Sequence, residues 1–131
     1  TTTVEMSIFT ETSASVDDVI SYTTAKGGGT ANPAINGDQI RLYQNSAGTG
    51  GGYITVTAAE GHTISSLTIG SSMATSVAYT LDSDTTKSTT ASLSANGKYT
   101  IEQEAQSITI YCMGTSSSSR LYVNYLSVTY K

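Results

Sequence analysis

Apolar and polar residues alternate along this chain in short runs, one after another, and no stretch keeps a sustained helical period. Ten such runs can be traced. The clearest are Val4 to Thr10, Gln39 to Gln44, Tyr53 to Ala58, Ser107 to Met113 and Leu121 to Tyr130. A period of two sends one set of side chains into a core and the next into water, so each run predicts a half-buried β-strand. About ten strands at intervals of roughly 8–14 residues predict two packed antiparallel sheets. Long loops and a closing C-terminal strand favour an all-β antiparallel β-sandwich of jelly-roll type over a regular up-and-down barrel.

Within that frame the phases name the core. Val4, Met6 and Ile8 form a first inward set. Val16 to Tyr22 reads as a turn feeding a strand at Val19 to Thr24, and Ala25 to Gly37, with its three consecutive glycines and Pro33, reads as one long loop. Asp38 to Gln44 and Gly52 to Ala58 are expected to pair as a hairpin. Ile40, Leu42, Ile54 and Val56 would then face inward, and Arg41, Tyr43, Tyr53 and Thr55 would share one outer face. Ile64, Leu67 and Ile69 are spaced by three and then two, as are Val123, Leu126 and Val128. A β-bulge in each strand restores a single inward face, because a bulge inserts one extra residue. Asn96-Gly97 is the strongest hairpin signal, placed between a short strand at Ala91 to Leu93 and one at Tyr99 to Ile101.

A chain of 131 residues suits one domain, and no boundary is visible, so residues 1–131 are read as a single module. Thr1 in place of Met suggests a piece excised from a larger secreted protein. Only 12% of residues are charged, about half the usual share, and 23 Thr and 20 Ser fill the deficit. That hydroxyl-rich surface associates with secreted and cell-surface β-domains. The net charge of −4 repels phosphate backbones, which argues against nucleic acid. The four lysines and two arginines form no cluster that would hold an anionic membrane, and no run approaches the apolar length of a spanning helix.

Reaction chemistry is not legible. Most of the acids fall in loops or at strand ends, His62 stands alone, and Cys112 alternates in phase with Ile108 and Ile110 as a small buried hydrophobe. The chain is therefore read as no enzyme. No cofactor is expected. Asp82-Ser-Asp84 leaves room for a single structural calcium but lacks the glycine and later glutamate of a helix-loop-helix site.

The tyrosines carry the functional signal. There are nine of them against one phenylalanine and no tryptophan. Tyr79, Tyr99 and Tyr130 fall on inward phases. Tyr43, Tyr53, Tyr111 and Tyr122 fall on outward ones. A phenol offers rigid area and a hydroxyl at low entropy cost, which suits the apolar C–H faces of sugar rings. Arg41, Gln44, Asn45 and Asn124 could add hydrogen bonds. The candidate ligand-binding residues are therefore Arg41, Tyr43, Asn45, Tyr53, Tyr111 and Tyr122.

The run Leu121-Tyr-Val-Asn-Tyr-Leu-Ser-Val-Thr-Tyr130 resembles the closing strand of bacterial jelly-roll carbohydrate-binding modules. Ile64 to Ile69 and Gln39 to Gln44 are similar to strands of such secreted modules. The resemblance implies a non-catalytic module that binds a polysaccharide or other glycan. It implies a monomer linked to other domains of a secreted or surface protein, with no membrane insertion. Some such modules hold calcium through acids near the first and last strands; Glu5 stands at such a position, and Asn124 stands where an aspartate is common. The competing reading is a structural or adhesin module with no small ligand. Tyrosines converging on one surface would favour the first reading, and scattered ones the second.

Overall fold

The computed structural model describes residues 1–86, 89–91 and 97–131; for 89–91 it describes the backbone path alone. Among the described residues there are twelve strands and no helix: β1 (Thr2–Met6), β2 (Ala14–Ser15), β3 (Ile20–Ala25), β4 (Ala34–Asn36), β5 (Gln39–Leu42), β6 (Tyr53–Ala58), β7 (Ile64–Ser71), β8 (Val77–Leu81), β9 (Thr89–Ala91), β10 (Lys98–Ile101), β11 (Ser107–Cys112) and β12 (Leu121–Tyr130). They form two six-stranded sheets with antiparallel pairing. The first has the order β10-β7-β12-β5-β4, with β1 also paired to β12; the second has the order β2-β3-β6-β11-β8-β9. The expected jelly-roll sandwich is therefore the fold. The strands beyond ten are short ones.

The core lies between the sheets where the phases place it. Ile40, Leu42, Ile54, Val56, Ile108 and Ile110 are fully buried. So are Val123, Leu126 and Val128 of β12, and Cys112. Each such aliphatic side chain contributes on the order of 1.5–3 kcal/mol on burial. Tyr99 is fully buried too, its hydroxyl donating to the Thr75 carbonyl at 2.6 Å. Tyr79 is only half-buried, packed against the core rather than inside it.

Both bulges are present, and both fall on the β7–β12 pair. Val123 lies opposite Ser71 and Tyr125 opposite Gly70, which leaves Asn124 as the extra residue. Thr129 lies opposite Ser66 and Tyr130 opposite Ile64, which leaves Ser65 as the other. The chain drops one residue from each ladder and keeps every branched side chain facing inward.

Four expectations are corrected. β5 and β6 are not a hairpin: β5 pairs with β4 and β12, whereas β6 pairs with β3 and β11, in the other sheet. Residues 43–52 carry the chain from one sheet to the other. The crossing is tight, with the Gly52 N–H donating to the Tyr43 carbonyl at 2.9 Å and the Gly51 N–H to the Cys112 carbonyl at 2.7 Å. A Cβ on Gly51 would lie 2.1 Å from the Tyr43 carbonyl oxygen, so only glycine fits there. Second, the loop over 25–37 contains β4. Third, the first strand ends at Met6, where its pairing with Leu126 ends. Beyond it the phase inverts: Ile8 is 60% exposed, and Phe9 is buried edge-on against Tyr22 at 5.9 Å. Fourth, β9 and β10 lie in different sheets, so the expected hairpin across Asn96-Gly97 does not join them. Leu93 and Asn96 lie outside the described residues.

Candidate functional site: an arginine–tyrosine surface at one end of the sandwich

Leu42, Tyr53, Ser71, Cys112 and Leu121 mark one end of the two sheets, where β5, β7 and β11 finish and β6 and β12 begin. The register there places Arg41 opposite Tyr122, both on the outer face of the first sheet because their neighbours Leu42 and Leu121 point inward. The Arg41 guanidinium lies 4.7 Å above the centre of the Tyr122 ring. Tyr43 continues the outward phase of β5. Arg120 precedes β12 by one residue and shares the phase of Tyr122.

Arg120 links these side chains. Its guanidinium lies 4.6 Å from the centre of the Tyr43 ring, its Nη1 donates to the Tyr122 hydroxyl at 3.3 Å, and its Nε donates to Gln44 Oε1 at 2.8 Å. The result is a continuous surface in which cations and rings alternate: Arg41, Tyr122, Arg120, Tyr43. Each cation–ring contact contributes on the order of 0.5–1 kcal/mol at a partly exposed site. All of these side chains are half-buried. Arg41 Nε is buried and has no hydrogen-bond partner, so its exposed nitrogens carry the polar contacts this guanidinium can make.

Tyr53 and Tyr111 form a second pair on the outer face of the second sheet. They lie opposite each other across β6 and β11, with ring centres 5.1 Å apart and planes tilted by 49°. Tyr53 rests against Gly27, where a Cβ would lie 3.1 Å from the ring. Asn45 belongs to neither pair. Its Nδ2 donates to Thr49 Oγ1 at 3.0 Å and to the Gly50 carbonyl at 2.9 Å, and its Oδ1 accepts from the Ala47 N–H at 3.0 Å. It shapes the crossing loop. The sequence candidates therefore separate: Arg41, Tyr43 and Tyr122 on one face, Tyr53 and Tyr111 on the other, Asn45 between them. Sequence reasoning left Arg120 out of that set, although its two-residue spacing from Tyr122 in Arg120-Leu-Tyr122 gives the phase away.

Beside Arg120 an open cleft of about 520 Å³ is lined by Ala74, Thr75, Ser76, Met113, Gly114, Thr115 and Ser119. It offers hydroxyls and backbone, with no charged side chain.

The acids do other work. Asp17 Oδ1 accepts from the Val19 and Ile20 N–H groups and Oδ2 from the Tyr130 hydroxyl at 2.7 Å. Those bonds, the one from Ile20 foremost, hold its carboxyl below the ordinary 3.8. The same bond to Asp17 pushes the Tyr130 phenol up. Asp82 Oδ1 accepts from the Gln106 and Ser107 N–H groups, Asp84 Oδ1 from the Thr86 N–H, and Glu5 Oε1 from the Tyr125 hydroxyl. Among the described residues no group of three or more His, Cys, Asp or Glu side chains could hold a metal ion.

No protein-family profile and no curated protein sequence matches the chain. Solved structures do. The chain is similar to a low-affinity xylan-binding module, CBM86, from the gut symbiont Roseburia intestinalis: 15% identical over 86% of this chain and 96% of that one, with a TM-score of 0.53. It is also similar to a structure from work on glycan recognition by the Ruminococcus flavefaciens cellulosome, at 13% identity over 98% and 94% of the two chains and a TM-score of 0.49. A third likeness is to a family 32 carbohydrate-binding module of C. perfringens NanJ in complex with galactose, at 15% identity, 99% and 93% coverage and a TM-score of 0.47. The first of these likenesses shows a shared fold: the chain is a jelly-roll β-sandwich with the fold of that xylan-binding module.

Proposed function

We propose that this chain is a non-catalytic carbohydrate-binding module that takes a polysaccharide on the outer face of its first sheet. The observation that carries the reading is the alternating surface of Arg41, Tyr122, Arg120 and Tyr43. A sugar ring has apolar C–H faces and a polar rim. Phenol rings supply area for the first, and fixed guanidinium and Gln44 groups supply hydrogen bonds for the second. Holding each arginine on a ring reduces the ordering cost of binding. A polysaccharide laid over this face would continue toward the hydroxyl-lined cleft beside Ser119. Tyr53 and Tyr111 offer a second, smaller platform. The fold shared with a xylan-binding module and the use of the acids as turn anchors both support a binding role over a catalytic one. The setting that fits is a monomeric module of a secreted or cell-surface protein, joined to other domains.

A glycan array followed by titration of the best polysaccharide tests this. Tyr122→Ala and Tyr43→Ala should each weaken binding roughly tenfold, the loss expected for one aromatic contact with its oriented partner. Tyr53→Ala should leave binding within about twofold. The reverse pattern would move the site to the second sheet. Absence of binding to any glycan would favour a structural or adhesin module.

A further inference from the structure

We infer that the ligand of this surface is an acidic polysaccharide, one whose ring-borne oxyanion, a uronate carboxylate or a sulfate ester, is received by Arg41 and Arg120. The inference rests on the carbohydrate-binding reading and names the ligand class for it. Its basis is where the charges lie. The stretches 19–37, 39–59, 61–81 and 105–131 contain no Asp or Glu. Those stretches supply four described loops at the arginine end: 26–33, 43–52, 72–76 and 113–120. Asp17, Glu60, Asp82 and Glu104 stand near the opposite end, Glu5 opposite Ser127 midway along β12, Asp38 just before β5, at the end of that strand away from Tyr43, and Glu11 in the loop between β1 and β2, where its carbonyl accepts from the Tyr22 hydroxyl at 2.7 Å. A protein of net charge −4 thus carries a positive end.

At that end the two guanidiniums share one tyrosine, Arg41 over its ring and Arg120 at its hydroxyl. Among the described residues the one ion pair is Lys131 with Glu104, at the far end of β12. Two like charges held within the span of a single side chain, half-buried and without a carboxylate, repel each other at reduced dielectric. An oxyanion between them would relieve that repulsion. A guanidinium has five N–H donors, and Arg120 spends two on Gln44 and Tyr122. The remaining edge suits the two-oxygen geometry of a carboxylate or sulfate better than a lone sugar hydroxyl. A neutral glycan would leave both cations uncompensated.

The test is calorimetric titration of the whole chain with two matched pairs of soluble polymers: polygalacturonate against its carboxyl-reduced form, and dextran sulfate against dextran. The inference expects at least one anionic polymer to bind roughly tenfold or more tighter than its neutral partner, with the advantage shrinking as salt rises from about 20 to 500 mM. The pair that shows the difference identifies the oxyanion. Arg120→Gln should abolish the advantage, and Lys131→Gln, at the other end, should leave it unchanged. The wild-type comparison stands alone should Arg120→Gln fail to fold. Equal binding to charged and neutral partners, or binding only to a neutral glycan from the array, overturns the acidic class and leaves the carbohydrate-binding reading intact. Absence of binding to every polymer and every glycan overturns both.

Discussion

On the outer face of the second sheet, Thr55 and Thr109 hydrogen-bond to each other at 2.9 Å, and Thr109 and Thr80 are almost fully buried. On the outer face of the first, two arginines lie on two tyrosines with donors still unspent. Both faces come from the same alternation of apolar and polar residues. The difference lies in what the outward residues do with their polar groups. Thr80, opposite Thr109 on β8, is buried with no hydrogen-bond partner among the described residues, whereas Thr55 and Thr109, directly opposite each other across β6 and β11, satisfy each other. Long cations beside rings cannot, because a ring face attracts the charge but accepts no full hydrogen bond. The Thr55–Thr109 pair is chemically finished, whereas arginines on tyrosines are poised for a partner.

The comparison assumes that both faces hang on one core, and the largest expected effect tests that assumption. β12 pairs with β7, β5 and β1 and buries Val123, Leu126 and Val128. Deleting residues 121–131 removes several contributions of ~1.5–3 kcal/mol from a domain whose net stability is of order 5–15 kcal/mol. No cooperative thermal transition should remain; a retained one would mean that the second sheet folds without the first. Next in size is Tyr99→Ala, which empties a fully buried site and strands the Thr75 carbonyl. It should cost about 3–5 kcal/mol in denaturant unfolding.

The faces themselves separate at smaller effects. Thr55→Val should cost about 1–3 kcal/mol, because Thr109, 8% exposed, would lose its partner. The double variant Thr55→Val/Thr109→Val should regain most of that loss. On the other face Tyr122→Phe removes the hydroxyl that Arg120 bonds, at a half-exposed site where water can replace it. Its effect on stability should stay within about 0.5 kcal/mol. Equal costs on the two faces would dissolve the distinction.

The smallest effect is with pH. Asp17 has a folded-state carboxyl held below 3.8, so the stability it adds is present above that value and is lost as pH falls through the lower folded one. Tyr130 is raised above 10.0, so its contribution is present below 10 and is lost as pH climbs through the raised value. Both groups sit far from Arg41 and Arg120. Melting temperature should therefore fall at both extremes, and Asp17→Asn should flatten the acid limb.

How far the sequence could be read follows from which contacts are local. Alternation fixed the inward sets, and the three-then-two spacings of Ile64, Leu67, Ile69 and of Val123, Leu126, Val128 foretold two bulges, because the inward face of a strand is a property of that strand alone. Partner choice is not. Asp38 to Gln44 and Gly52 to Ala58 looked like a hairpin because they are neighbours in sequence. The signal against it was the Gly50-Gly51-Gly52 run, where the backbone must pass under the Tyr43 carbonyl. Ile8 and Phe9 reversed roles once pairing with β12 ended, since period two holds only where a ladder holds. The site suffered most. Tyr43 and Tyr53 would share a face only if β5 and β6 paired, whereas Arg41 and Tyr122, far apart in the chain, meet through a register that no local pattern encodes.

Thr2 lies opposite Tyr130, so the polypeptide almost closes on itself in space. A short bridge from residue 131 to residue 1 would turn it into a ring, and the exposed turn at Glu60-Gly61 would serve as well for a cut. To the packed sandwich, the place where the thread starts is nearly arbitrary. Residues 1 and 131 both lie toward the pole opposite the arginines, so a tether fixed at either would hold the module like a stalk, with Arg41 and Arg120 turned outward.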